Sequence, residues 1–145
     1  GSPLEVLQVP GMGGLFLRTG GVETIGEFDE MLGIGAGTPW GAGEDADYYL
    51  RVLKSGFKLY SKQDIVVFHP AVSRYIQQKA FDRSYKYGTG LAHVWKRHRL
   101  PLWYFAYQVA RSFGGVLLSL MQARGSKAYW HWGALRGKLR GWFSN

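Results

Sequence analysis

The clearest periodic pattern in the chain covers Glu44–Ser55, where Ala46, Tyr49, Leu50 and Leu53 recur on one face of a helix. The first turn of this segment is acidic, its last turn is basic, and a glycine follows it. These are the dipole and capping preferences of a helix that begins and ends within the segment. The pattern therefore predicts a helix over residues 44–55.

Short apolar runs in the first half of the chain favour strands. Ile65–Phe68 is continuously apolar and is followed by a histidine and a proline, which is typical of a buried strand. Leu4–Val9 and Gly14–Arg18 also predict short strands, and Gly20–Ile25 predicts a short helix. Residues 33–43 are rich in glycine and have no helical or strand pattern, which in a compact domain is typical of a functional loop.

From Arg74 onward the pattern is mainly helical, with breaks predicted at Gly88–Gly90, at Pro101 and at Gly125.

The segment from Pro101 to Met121 is long enough to span a bilayer. Arg111 lies in its middle, however, and a charge at that depth costs about 2.5–3.5 kcal/mol. The segment therefore favours a helix that lies in the plane of a membrane surface over one that crosses it. A soluble helical hairpin, whose aromatic side chains pack on the rest of the domain, is the alternative.

Charge divides the chain into two halves. Residues 1–70 hold five Lys and Arg against nine Asp and Glu, whereas residues 71–145 hold thirteen against one, Asp82. The resulting net charge of +12 in the second half predicts contact with an anionic surface, either lipid or nucleic acid. Because the segment 101–121 is apolar and no recognised nucleic-acid-binding module is visible, an anionic membrane surface is expected and nucleic acid is not.

Three carboxylates stand within four residues at the start of the predicted acidic helix, at Glu44, Asp45 and Asp47. They repel one another, and a helix N-terminus offsets only about 0.3–1 kcal/mol per charge. Since successive helical residues turn by roughly 100°, Asp45 and Asp47 point in different directions. Asp47 is predicted to pair with Arg51, which leaves Asp45 to face the glycine-rich loop and a ligand. The alternative is an acidic first turn that binds nothing.

A second candidate is His69, which follows the predicted strand 65–68. Ligands of α/β sheets gather at the carboxyl ends of strands, and a histidine there can bind a metal or transfer a proton. The alternative is a hydrogen-bonded structural histidine.

Three motifs follow one another along the chain, namely Gly26-Glu27-Phe28-Asp29-Glu30, Gly43-Glu44-Asp45-Ala46-Asp47, and the apolar run that ends in His69-Pro70. Their order and spacing resemble family 2 glycosyltransferases of the GT-A fold, in particular bacterial enzymes that build capsule, O-antigen or exopolysaccharide chains. The resemblance covers roughly residues 10–90. It implies an α/β fold, as the C-terminal part of a GT-A-like nucleotide-sugar transferase, followed by basic amphipathic helices.

The resemblance also implies an inverting transfer of a sugar from a nucleotide-sugar donor to a polysaccharide or lipid-linked acceptor. A Mg²⁺ or Mn²⁺ ion would neutralise the departing diphosphate. The implied site residues are Asp45 and Glu44 as catalytic residues, Trp40, Gly43 and Asp47 as substrate-binding residues, and His69 as the metal ligand.

The chain departs from the family pattern because it lacks a donor-binding half with an Asp-x-Asp metal motif, and it opens without a methionine. We therefore expect a piece of a larger enzyme that is inactive alone. Residues 1–92 would be the acceptor-side half of the catalytic domain, and residues 93–145 a basic aromatic tail on the cytoplasmic face of the cell membrane. The alternative is a non-catalytic membrane-surface or carbohydrate-binding module. The absence of cysteine excludes a disulfide scaffold.

Overall fold

The computed structural model describes residues 3–7, 16, 19–60, 68 and 79–144. The regular elements in these ranges are helices, namely α1 (Pro3–Val6), α2 (Thr19–Ile25), α3 (Glu44–Lys54), α4 (Ala80–Arg97), α5 (Leu102–Met121) and α6 (Gly125–Phe143). The chain divides into two compact units, one formed by residues 1–30 and 44–71 and the other by residues 31–43 and 72–145.

The predicted α/β, GT-A-like fold is wrong, because the residues that the structure describes form helices and no strand. The start of the predicted strand Leu4–Val9 lies in α1, where Pro3 takes the first helical position that suits its fixed φ and missing N–H. The predicted strands Gly14–Arg18 and Ile65–Phe68 lie outside the described residues, apart from one residue of each without regular structure. A short apolar run does not by itself distinguish a strand from a buried helix, and a strand also needs a partner strand.

In the first unit, α3 supplies most of the buried side chains, and α1 packs against it. The predicted helix over residues 44–55 is confirmed, as is the shorter one over residues 20–25. Tyr48 is buried on α3, and the ring of Phe28 stacks on it with 4.3 Å between the centroids. The helix ends where Gly56 takes a φ of +80° and Phe57 donates its backbone N–H to the carbonyl oxygen of Val52 at 3.2 Å.

In the second unit, α6 packs along α4 over its length and also against α5. Gly133, Gly137 and Gly141 lie on the side of α6 that faces α4. A Cβ atom added at any of these three glycines would overlap atoms of α4, including the carbonyl oxygens of Tyr85 and Thr89. The two helix backbones therefore touch each other directly, which glycine alone permits at these positions.

The predicted break at Gly88–Gly90 is wrong, because α4 continues from residue 80 to residue 97. The expected domain boundary between residues 92 and 93 falls within this helix. Glycine lowers helix propensity, but here the lack of a side chain is what allows close packing. A Cβ atom on Gly88 would lie 2.6 Å from the carbonyl oxygen of Ala134, and one on Gly90 would overlap the backbone of Ala42. The breaks predicted at Pro101 and Gly125 are confirmed, since α5 begins just after the former and α6 begins at the latter.

Candidate functional site

The glycine-rich loop of residues 31–43 is closed by its own hydrogen bonds. Gly33 donates its backbone N–H to the carbonyl oxygen of Trp40 at 3.0 Å. The Thr38 hydroxyl donates to the carbonyl oxygen of Met31 at 2.6 Å and accepts the backbone N–H of Trp40 at 3.2 Å. The loop therefore has a defined shape and holds Trp40 near its end.

Two of the predicted substrate-binding residues, Trp40 and Gly43, lie in this loop and pack on α4. The Trp40 indole stacks on the His93 imidazole, with 4.0 Å between ring centroids and 21° between ring planes. Gly43 has a φ of +106°, and a Cβ atom there would lie 2.9 Å from the Val94 side chain. Gly43 is therefore required by the backbone, while one face of the Trp40 ring is already covered by His93. Whether the other face receives a sugar stays a prediction.

The three predicted acidic site residues, Glu44, Asp45 and Asp47, all lie in the first turn of α3. Their surroundings differ. The carboxylate of Asp47 is buried and accepts a hydrogen bond from Arg51 Nε at 2.8 Å, so the predicted pair is confirmed. Glu44 and Asp45 are only half-buried. The three carboxylates of this turn thus differ in burial, with that of Asp47 buried and those of Glu44 and Asp45 partly exposed.

Arg51 also connects α3 to the last residue of α2 and to the segment that follows it. Its Nη1 donates to the carbonyl oxygen of Ile25 at 2.8 Å, and its Nη2 donates to that of Glu27 at 2.8 Å. The guanidinium carbon lies 4.9 Å from the centre of the Tyr48 ring. Because a guanidinium has five donors in a rigid plane, one side chain can satisfy all these acceptors at once. This arrangement fixes the direction in which the acidic turn points.

The charge of Asp45 acts on the next turn of α3. Burial raises the pKa of the Tyr49 hydroxyl, and the nearby negative charge of Asp45 raises it further. Glu44 differs, because its Oε2 is buried and has no hydrogen-bond partner among the described residues. Trp40 Nε1 is also buried and has no hydrogen-bond partner among the described residues. Buried polar atoms are usually paired, so each of these two atoms could take part in binding a polar ligand.

The predicted metal ligand, His69, lies outside the described residues. Within the described ranges, no group of three or more His, Asp and Glu side chains is placed to hold a metal ion. The Mg²⁺ or Mn²⁺ ion that the resemblance implies therefore stays a prediction.

Sequence reasoning missed a buried cation in the second unit. Lys138 of α6 donates from Nζ to Ser112 Oγ at 2.8 Å and to the carbonyl oxygen of Gln108 at 3.0 Å. Burial, followed by the positive charge of Arg111, lowers the pKa of Lys138 to about 8. One signal in the sequence could have indicated this buried lysine. Glycine recurs at every fourth position over residues 133–141 and so marks the side of α6 that faces α4, and Lys138 lies next to that side of the helix.

Comparison of the chain with models of known protein families, with curated proteins and with solved structures gave no match. None of the helices in the described ranges combines the length and the apolar content needed to cross a membrane.

Proposed function

We propose that the first turn of α3 is the acceptor-side acid–base centre of a glycosyl transfer reaction, with Asp45 as the base. The observation that carries this proposal is a first helical turn with three carboxylates, of which two remain partly exposed. Asp47 is held by Arg51 across 2.8 Å, whereas Glu44 and Asp45 stand half-buried beside it. A turn that only caps a helix has no need of two further like charges, which repel one another.

In the proposed reaction, an acceptor hydroxyl group approaches Asp45. The carboxylate accepts the hydroxyl proton while the acceptor oxygen attacks the anomeric carbon of the donor sugar. A new carbon–oxygen bond forms as the bond to the departing nucleoside diphosphate breaks, and the configuration at the anomeric carbon inverts. General-base assistance of this kind is typically worth about 10²–10⁴-fold in rate.

Other residues have supporting roles in the proposal. The buried Oε2 of Glu44, which has no hydrogen-bond partner within the described ranges, would accept a hydrogen bond from a second hydroxyl of the acceptor. Arg51 would act as a positioning residue, because it fixes the acidic turn through Asp47 without touching substrate. The nucleotide-sugar donor, the glycan or lipid-linked acceptor and the divalent metal come from the resemblance alone.

The test is sugar transfer by the complete natural polypeptide, since the resemblance assigns donor binding to sequence outside this chain. A panel of radiolabelled nucleotide sugars would be offered together with membrane lipids as acceptors. Asp45→Asn is nearly isosteric but cannot accept a proton, so the transfer rate should fall by about 10²–10⁴-fold while donor affinity stays unchanged. The matched control is Asp82→Asn, which changes an exposed carboxylate on α4 and should leave transfer unaltered.

A loss smaller than about tenfold in Asp45→Asn would remove Asp45 as the base, given the size of the effect expected from a general base. If Glu44→Gln lost activity while Asp45→Asn kept it, Glu44 would be the base and Asp45 would bind the acceptor. Binding of acceptor sugars without transfer from any donor would favour the alternative, a carbohydrate-binding module.

A further inference from the structure

The two serine side chains of α5 point inward. Ser112 and Ser119 are buried, with 4% and 5% of their surface exposed. Ser112 meets Lys138 of α6 at 2.8 Å, and a Cβ atom added at Gly115 would press on the imidazole of His131. The side of α5 that faces α6 therefore combines these small and polar groups with the buried ring of Phe105.

The opposite side of α5 is apolar and exposed. Six large side chains, which we name the α5 outer face, have between 47% and 84% of their surface exposed, namely Trp103, Tyr107, Phe113, Leu117, Leu118 and Met121. At 100° per residue they fall within an arc of about 140°, and at 1.5 Å per residue they extend over about 27 Å. They form one continuous stripe along the helix.

A helix on the surface of a soluble domain usually turns a polar side to solvent, whereas most of the exposed side of α5 is apolar. Monomeric soluble proteins rarely expose a continuous apolar patch larger than a few hundred Å². The α5 outer face therefore needs a partner that covers it.

Charge identifies that partner. Residues 71–145 carry thirteen basic residues and a single acidic one. Exposed arginines stand just before α5, within it and just after it, at Arg99, Arg111 and Arg124. A second copy of the chain packed on this face would bring like charges together, whereas an anionic lipid surface gains about 1 kcal/mol per nearby basic residue. Aliphatic side chains such as Leu117 and Leu118 also offer no ring for stacking on nucleic-acid bases.

We propose that the α5 outer face docks into the headgroup region of an anionic lipid bilayer, with α5 lying in the plane of the membrane. The aromatic side chains at Trp103 and Tyr107 suit the headgroup depth, and Leu117 and Met121 reach the start of the acyl chains. Arg111 stands at the edge of the stripe, where it can contact lipid phosphate. This inference does not rest on the proposed glycosyl transfer.

The absence of cysteine makes a direct test possible, because a single cysteine can carry an environment-sensitive fluorophore at a chosen position. Labels at Leu117→Cys on the outer face and at Asp82→Cys on the exposed side of α4 would be compared in the full chain. Vesicles of phosphatidylcholine mixed with phosphatidylglycerol should shift the Leu117→Cys emission to shorter wavelength and make it accessible to a quencher attached to the lipid chains. The Asp82→Cys label should not respond.

Binding itself would be measured by co-sedimentation with the same vesicles and with pure phosphatidylcholine. Leu117→Glu should weaken partitioning at least about tenfold, because it places a charge where a leucine would be buried. The matched control is Ile34→Glu, which changes a similarly apolar and more exposed residue in the loop 31–43 and should leave binding unchanged. Added salt should release part of the bound protein.

Three results would overturn the inference. The first is failure of the intact chain to sediment with anionic vesicles. The second is a blue shift of the Leu117→Cys label without vesicles that grows with protein concentration, since a second copy of the chain would then cover the face. An equal response from the Asp82→Cys label would mean that α5 is not the docking helix.

Discussion

Arg51 donates its Nε–H to Asp47 Oδ2 over 2.8 Å, from a position one helical turn further along α3. The Asp47 side chain is 1% exposed and that of Arg51 is 25% exposed, so the pair is largely withdrawn from water. The same guanidinium binds the carbonyl oxygens of Ile25 and Glu27. One side chain thus holds the acidic turn and the segment after α2 in a single arrangement.

Arg51→Met should lower the free energy of unfolding by about 3 kcal/mol, because it leaves the buried Asp47 carboxylate without its cationic partner. Equilibrium denaturation in urea is the measurement. Lys54→Met is the matched control, since it removes a charge from an exposed position in the last turn of the same helix and should change stability by less than about 0.5 kcal/mol. Equal losses in the two variants would contradict a structural role for the Arg51–Asp47 pair.

The part of this arrangement that sequence could predict is the local part. The pairing of Asp47 with Arg51 follows from their spacing of four on a helix, and both termini of α3 follow from charge and glycine. The bonds from Arg51 to Ile25 and Glu27 cross more than twenty residues, and no periodicity encodes them. Local patterns specify a helix but not the partner that its side chains reach.

Gly137→Ala should destabilise the second unit by about 2–3 kcal/mol, because the new methyl group would overlap the Tyr85 carbonyl oxygen and force α4 and α6 apart. Gly114→Ala makes the same chemical change on α5, where nothing lies within 4 Å of the added atom. This control should raise stability by up to about 1 kcal/mol through helix propensity. Thermal unfolding followed by circular dichroism would separate the two, and a Gly137→Ala protein as stable as the parent would refute direct backbone contact.

The stability of the second unit should rise with pH in the alkaline range because of Lys138. Burial lowers its pKa in the folded chain to about 8, below the usual 10.5, so between these values the unfolded chain binds more protons than the folded one. The free energy of unfolding should therefore increase by about 1–2 kcal/mol from pH 7.5 to 9.5. Above about pH 10 the raised pKa of the Tyr104 hydroxyl acts in the opposite direction, since the unfolded chain then ionises first.

Lys138→Met isolates this effect, because it keeps most of the length of the unbranched side chain and removes the titrating group. Urea denaturation at a series of pH values should give a flat profile for the variant over the same range. Lys127→Met, at an exposed position on α6, should retain the rise seen in the parent chain. A rise of the same size in Lys138→Met would assign the pH dependence to another group.

The errors of the sequence prediction have two physical origins. Glycines at 88 and 90 predict a helix break from propensity, but close contact with Ala134 and Ala42 makes them part of a continuous α4. In the second half, the sequence correctly predicts a helix for the apolar segment, but the burial of Ser112 depends on its contact with Lys138. Tertiary contacts decide these two outcomes. The apolar run at the start of the chain predicts a strand, whereas the local preference of proline for the first helical position begins a helix at Pro3.

The backbone contact between α4 and α6 also bears on how the gene can change. Every missense mutation of a glycine codon adds atoms, since no residue is smaller. At Gly133, Gly137 and Gly141 the added atoms meet the backbone or a buried hydroxyl of α4. Where the obstacle is the main chain, no second mutation can make it smaller. A large residue in an ordinary core can be offset by a smaller neighbour, but this interface has no such compensation along most of its length. We therefore expect natural variants of the chain to retain these three glycines even where the surrounding positions have diverged.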